Sequence, residues 1–138
     1  MPFDLFKKIV DEAASEDFAH RHQIKKFIFG ENGDAFLNKD IINMLRYIKF
    51  KMPGMEICLI TNFQFFTKDK AQIILDEQLV DFLHCNMDGS NERNYFLVKG
   101  LDFKTFQKNL YDFLEIRKKS YNNLPVHINI LTLNHYIR

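Results

Sequence analysis

Apolar residues recur at Phe3, Phe6, Ile9, Val10, Ala13, Ala14 and Phe18, close to the helical repeat, and predict an amphipathic helix over residues 3–18. The short run IKKFIF, residues 24–29, is aromatic and β-branched, stops at Gly30, and reads as a strand. Glu31-Asn32-Gly33-Asp34 then forms a turn-rich stretch. Asn38 is placed to cap a second helix with Ile41, Ile42, Leu45 and Ile48 on one face, and Met52-Pro53-Gly54 ends it. The pattern repeats with a strand EICLIT (56–61), a helix from Thr67 to about Gln78 with Ala71, Ile74 and Leu75 inward, and a strand VDFLHCNM (80–87) ending at Asp88-Gly89. A polar stretch, SNERNYFLVKG, separates it from the longest helix, which Asp102 caps and whose inner stripe is Phe103, Phe106, Leu110, Phe113 and Leu114. Pro125 leads into a last strand, VHINILTL (126–133).

Strands that alternate with helices imply βαβ crossovers, and so an α/β fold with a parallel sheet of about four to five strands and helices outside. No linker or low-complexity segment divides residues 1–138, so a single domain is expected. A composition of 46% hydrophobic and 27% charged residues is that of a globular chain. The 15 phenylalanines are a compositional bias without functional content of their own.

Charge removes some classes of function. The formal net charge is +1, and the basic clusters Lys25-Lys26, Lys49-Phe50-Lys51 and Arg117-Lys118-Lys119 are short and scattered. They read as solvated surface and argue against a nucleic-acid partner. The last cluster also falls where a helix should end, where cations favour the negative end of its dipole. No apolar run approaches the length of a membrane span, and the N-terminus lacks a basic-then-apolar signal pattern. Cys58 and Cys85 lie 27 positions apart, which is no disulfide framework, and a reduced, cytoplasmic setting is the simpler reading.

In parallel α/β sheets, ligands bind beyond the C-terminal ends of the strands. Four polar stretches fall there: Gly30 to Asp34, Thr61-Asn62, Asn86-Met87-Asp88-Gly89, and Asn129 within the last strand. Glycines let a ligand approach the backbone closely, while Asn and Asp supply short, stiff hydrogen-bonding groups. The same residues also serve as ordinary turn formers. No Gly-rich dinucleotide or phosphate loop and no nucleophile elbow is present. His20 and His22 lack a third ligand nearby and read as surface residues. His84 and Cys85, adjacent on a strand, point to opposite faces and cannot hold one metal together. Cys58 reads as core, and His127 and His135 show no partner spacing. No metal site is expected.

Taken in order, these stretches resemble the radical S-adenosylmethionine (radical SAM) family. FGENGDAFLNKDI (29–41) is similar to the glycine-rich segment after the second barrel strand, usually G-x-G-E-P-L-L-N-x-D-I. EICLITNF (56–63) is similar to the third strand and its T-N-G ending, and VDFLHCNMDG (80–89) to the fourth, often ending S-x-D-G. YFLVKGLDFKTFQKNL (95–110) resembles the following Y-x-x-I-R-G-x-x-F-x-x-V-x-x-N-I stretch, and PVHINIL (125–131) the fifth strand. The resemblance runs from about Phe3 to Ile130. It implies part of a TIM-like partial (β/α)6 barrel and S-adenosylmethionine as ligand. Gly30, Gly33 and Asp34 would then face the methionine amino group. Thr61 belongs to the same rim, Asn62, Asn86 and Asn129 would lie near the sugar or carboxylate, and Asp88-Gly89 would shape the loop over the site.

The departures from the family pattern carry as much weight. The family holds a [4Fe–4S] cluster on C-x-x-x-C-x-x-C after the first strand, leaving one iron for the methionine amine and carboxylate. That loop and strand would precede residue 3, and this sequence has no ligands for the cluster, so the chain reads as a truncated barrel, inactive alone. Glu-Pro is replaced by Asp34-Ala35, the glycine of T-N-G by Phe63, whose bulk is expected to intrude on the site, and the usual Arg by Lys99, which loses bidentate recognition. Without the first strand, strand 24–29 becomes an open edge, which predicts self-association, a partner that completes the barrel, or marginal stability. Two other readings stand beside this one. One is a non-catalytic binding or interaction module. The other is an unrelated α/β enzyme using Asp34, Asp88 and His84 for acid–base work.

Overall fold

A computed structural model describes residues 1–15, 24–120 and 123–130. The elements, in order, are α1 (Phe3–Ala13), β1 (Lys26–Phe29), a 3-10 turn (Ala35–Leu37), α2 (Ile41–Lys51), β2 (Glu56–Thr61), α3 (Lys68–Asp76), β3 (Phe82–Met87), α4 (Glu92–Lys99), α5 (Phe103–Lys119) and β4 (Val126–Ile130). The four strands form one parallel sheet in sequence order, β1-β2-β3-β4. The expected α/β class holds. Phe18, His20, His22, His135 and the end of the last strand at 131–133 lie outside the described residues.

Several local expectations change. Asp40, not Asn38, stands at the N-terminus of α2, and no side chain caps that helix. Asn38 instead accepts the Asp40 N–H at 3.0 Å, closing the turn that enters it. Thr67 is the N-cap of α3, but its hydroxyl makes no capping bond. That helix ends at Asp76, short of Gln78. β3 begins at Phe82 rather than Val80: pairing with β2 starts at Phe82, opposite Cys58, while Leu79 and Val80 pack in the core ahead of the strand.

The polar stretch after β3 contains a helix that the sequence pattern does not reveal. In α4 only Tyr95 is buried, so no apolar stripe marks it. Its ends are well specified: the Asn91 side chain accepts the Asn94 N–H at 2.9 Å, and Gly100 closes it at φ 65°. Asp102 caps α5 as expected, accepting from Thr105 N–H at 2.8 Å. Leu114 is only half-buried, and Ile116 completes the inner stripe. Arg117, in the last turn, donates to the Leu124 carbonyl at 2.8 Å and fixes the approach to β4.

Strand parity divides the sheet into two faces. Ile57, Leu59, Leu83 and Cys85 join the helices in the core, with Phe27, Phe29, Met87 and Val126 packed against it. Residues of opposite parity, including Ile28, Ile60, Phe82, His84, Asn86, His127 and Asn129, face away from that core. Aromatic rings fill the space between helices and sheet. Phe36 stacks on Phe66 at 4.3 Å, and Phe63 packs against Phe66, Phe106 and Phe113. Each fully buried ring of this size contributes about 2–3 kcal/mol. No helix among the described residues is long and apolar enough to cross a membrane.

Candidate functional site at the strand ends

Parallel pairing brings the C-terminal ends of the strands to one edge of the sheet, and the loop geometry there is tightly specified. Gly30 leaves β1 at φ 91°, and a β-carbon on it would stand 2.1 Å from the Ile60 carbonyl oxygen, so only glycine lets this loop lie against β2. The loop delivers Asp34, which is 9% exposed. Its carboxylate accepts the Phe36 N–H at 2.9 Å, the Thr61 hydroxyl at 2.8 Å and the Asn62 N–H at 2.9 Å. Asp34 therefore ties the end of β1 to the end of β2 and positions Thr61 and Asn62. Gly33 is exposed with open space around it.

Phe63 adopts φ 62°, the left-handed conformation that glycine adopts most readily. Its ring is fully buried against Phe66, Phe106 and Phe113. The expectation that its bulk would intrude on the strand-end rim is therefore corrected: the backbone turn aims the side chain into the core.

The loop after β2 is held from behind by two residues to which the sequence assigned no role, Tyr95 and Asn109. Asn109 of α5, buried at 7% exposure, donates to the carbonyls of Phe63 at 2.7 Å and Gln64 at 3.3 Å. The hydroxyl of fully buried Tyr95 donates to the Asn62 carbonyl at 3.4 Å, and burial pushes its phenol pKa up. Gln64 donates to the Asp102 carbonyl at 2.7 Å, and Asn62 accepts the Gln64 N–H at 3.0 Å. Tyr95 and Asn109 both fall on fixed letters of the Y-x-x-I-R-G-x-x-F-x-x-V-x-x-N-I stretch that residues 95–110 resemble, and Asn109 also places an amide inside the apolar stripe of the longest helix.

On the other half of the rim, Asn129 donates to Asn86 at 3.2 Å. Asp88 pairs with Lys99 at 2.5 Å, linking the end of β3 to the end of α4. A β-carbon on Gly89 would stand 2.5 Å from the Tyr95 nitrogen, so glycine is what lets α4 pack against this loop. The sequence-predicted residues thus form two joined groups, Gly30-Asp34-Thr61-Asn62 and Asn86-Asn129, with Asp88 held by Lys99. No hydrogen bond joins the two groups among the described residues. Nor does any bond join His84 to Asp34 or Asp88, so the acid–base arrangement is not formed.

His127, to which the sequence assigned no partner, does have one. It sits in register with His84 across β3 and β4, with ring centres 5.3 Å apart. Burial, followed by the neighbouring His127 ring, lowers the His84 pKa.

The residues present do not fit an iron–sulfur cluster. Residues 1–138 carry two cysteines, and a [4Fe–4S] cluster of the family's kind needs three thiolates. Cys58 and Cys85 are both buried, on different strands and opposite faces of the sheet. Burial pushes the Cys58 thiol up, and pushes Cys85 up to about 12. Among the described residues, no group of three or more His, Cys, Asp or Glu side chains is arranged to hold a metal.

No protein-family model matches the sequence, and no curated protein matches it. Solved structures do match. Native anSMEcpe with bound AdoMet aligns with a TM-score of 0.63 at 18% identity, covering 94% of this chain and 34% of that one. The same protein with AdoMet and Cp18Cys peptide gives 0.60 at 18% identity, over 94% and 34% of the two chains. BtrN in complex with AdoMet and 2-DOIA gives 0.57 at 16% identity, over 94% and 44%. The fold is a radical SAM-like partial barrel. At these identities the likeness concerns the fold, and the chain spans between about a third and just under half of the structures it matches. The face of the sheet that turns away from the helices is the one that points into the barrel in this fold.

Proposed function

We propose that this chain supplies the S-adenosylmethionine-facing part of a radical SAM-type barrel and performs no radical chemistry from residues 1–138 alone. The observation that carries this reading is the strand-end rim. Asp34 orients the Thr61-Asn62 corner from below, while Asn86 and Asn129 present paired amides beside it. Asn62 uses its side-chain oxygen on Gln64, which leaves its Nδ2 group without an acceptor among the described residues. The matched structures, each solved with AdoMet, support the same ligand.

Calorimetric titration with S-adenosylmethionine tests this. Saturable binding is expected, weakened about tenfold by Asn62→Ala, the loss of roughly one good hydrogen bond. Absence of binding, or binding indifferent to Asn62→Ala, counts against the reading. Anaerobic reconstitution with iron and sulfide is expected to leave no stable cluster absorbance on this chain.

A second reading follows from the edge of the sheet. β1 pairs on one side only among the described residues, and Ile28 is 50% exposed. A groove of about 450 Å³ runs beside it, lined by Phe6, Ile9, Phe27, Ile28 and Met44 and reaching Gly30 and Asp34. An unpaired parallel edge next to apolar surface favours an added strand, from a second copy or a partner that completes the barrel. Sedimentation that shifts with concentration would support this, and a concentration-independent monomer would count against self-pairing.

A further inference from the structure

We propose that His84 and His127 form a two-histidine site for a late first-row divalent cation, such as Ni²⁺, Zn²⁺ or Cu²⁺, on the inner face of the sheet. The proposal rests on the register of β3 and β4 and is independent of the S-adenosylmethionine reading.

The two imidazoles come from strands that are direct neighbours, with His84 opposite His127. Their ring centres are 5.3 Å apart. With metal–nitrogen bonds of about 2 Å, two imidazoles at the tetrahedral angle have their centres about 5 Å apart, so the spacing of these two ring centres matches that of a pair sharing one ion. Phe82 fixes the pair from the N-terminal side, with ring centres 5.0 Å from His84 and 4.4 Å from His127. Its ring stands edge-on to His127, limiting the rotations open to both imidazoles.

Chemistry favours a cation over an anion here. Two imidazoles side by side bring ring nitrogens that serve as metal donors, and the described ring contacts to the pair add only the apolar ring of Phe82. Neither ring is hydrogen-bonded to a described carboxylate that would hold it as imidazolium. Imidazole suits Zn, Cu and Ni rather than Ca or Mg. His127 is exposed, so two protein nitrogens leave the remaining coordination positions to water or an incoming ligand. The sequence contains five histidines, so the other three must be removed for a clean test.

The test is Ni²⁺ titration of the chain carrying His20→Ala, His22→Ala and His135→Ala, followed by calorimetry and by proton NMR of the imidazole signals. One Ni²⁺ per chain is expected, broadening the His84 and His127 signals together. Outer-shell changes alone typically cost 10–100-fold in metal affinity, so His127→Ala, at an exposed position, is expected to cost at least about tenfold. His84→Gln provides the matching loss from the other strand, with an unchanged urea midpoint as the check on folding. Broadening of only one ring, or affinity left within about twofold by His127→Ala, overturns the proposal. So does the absence of saturable binding up to about 1 mM Ni²⁺.

Discussion

The carboxylate of Asp34 receives the hydroxyl of Thr61 at 2.8 Å, joining two residues 27 positions apart across the ends of β1 and β2. The same oxygen also receives the Asn62 N–H at 2.9 Å. One buried side chain therefore sets the corner on which the proposed ligand rim stands, and its removal leaves three donors without their acceptor. Asp34→Ala is expected to lower stability by about 2–4 kcal/mol, read as a lower urea midpoint at unchanged slope. An unchanged midpoint would show that water replaces the carboxylate and that the corner does not depend on it.

The glycines of the first loop differ in a testable way. A methyl at Gly30 meets the Ile60 carbonyl, whereas one at Gly33 meets nothing within 4 Å, although both residues have positive φ. Gly30→Ala is expected to cost well over the roughly 1 kcal/mol of backbone strain that Gly33→Ala carries. Thermal unfolding of the two variants side by side checks the order, and equal losses would contradict the close approach.

Phe63 combines a costly backbone with a valuable ring. Truncation to Ala should cost about 3–5 kcal/mol through the cavity left among Phe66, Phe106 and Phe113. Truncation to Gly removes the same ring but relieves the φ 62° strain. Phe63→Gly is therefore expected to be no less stable than Phe63→Ala, the reverse of the usual order, as denaturant melts would show.

Cys85 offers a pH test. Its thiol is held up to about 12 by burial, and the unfolded chain ionises near the ordinary value of 9.0. Below that value both states are protonated and the thiol does not affect stability. As pH rises above it, the unfolded state gives up the proton first, so stability falls towards the folded value. Cys85→Ala should flatten this alkaline loss. Both thiols should also resist alkylation at pH 8 until the chain is unfolded, since both are buried.

Much of the fold was legible because the local patterns are strong. EICLIT is β2 residue for residue, and Asp102 caps α5 as its position before the Phe103-Phe106-Leu110-Phe113 stripe implies. Helix α4 was hidden because one buried residue, Tyr95, makes no stripe. Asn38 was misplaced as a cap because a 3-10 turn comes between the Asp34 loop and α2, and nothing in the hydrophobic period announces such a turn. Asp34, Thr61, Asn62, Asn86 and Asn129 could be placed at one edge from the sequence because the ends of parallel strands must share it. How each is used was not legible, since Asp34 has the composition of a ligand contact and the geometry of a brace.

The sequence by itself determined the four strands, the helices that carry an apolar stripe, that the strands run parallel, and which polar residues sit at their ends, because periodicity and turn chemistry are local properties. Only the tertiary structure decided that His84 faces His127, that Phe63 turns inward, and that Asn109 and Tyr95 hold the loop after β2. Strand register and helix packing join residues more than thirty positions apart. Their energies come from contacts that exist only once the sheet has assembled.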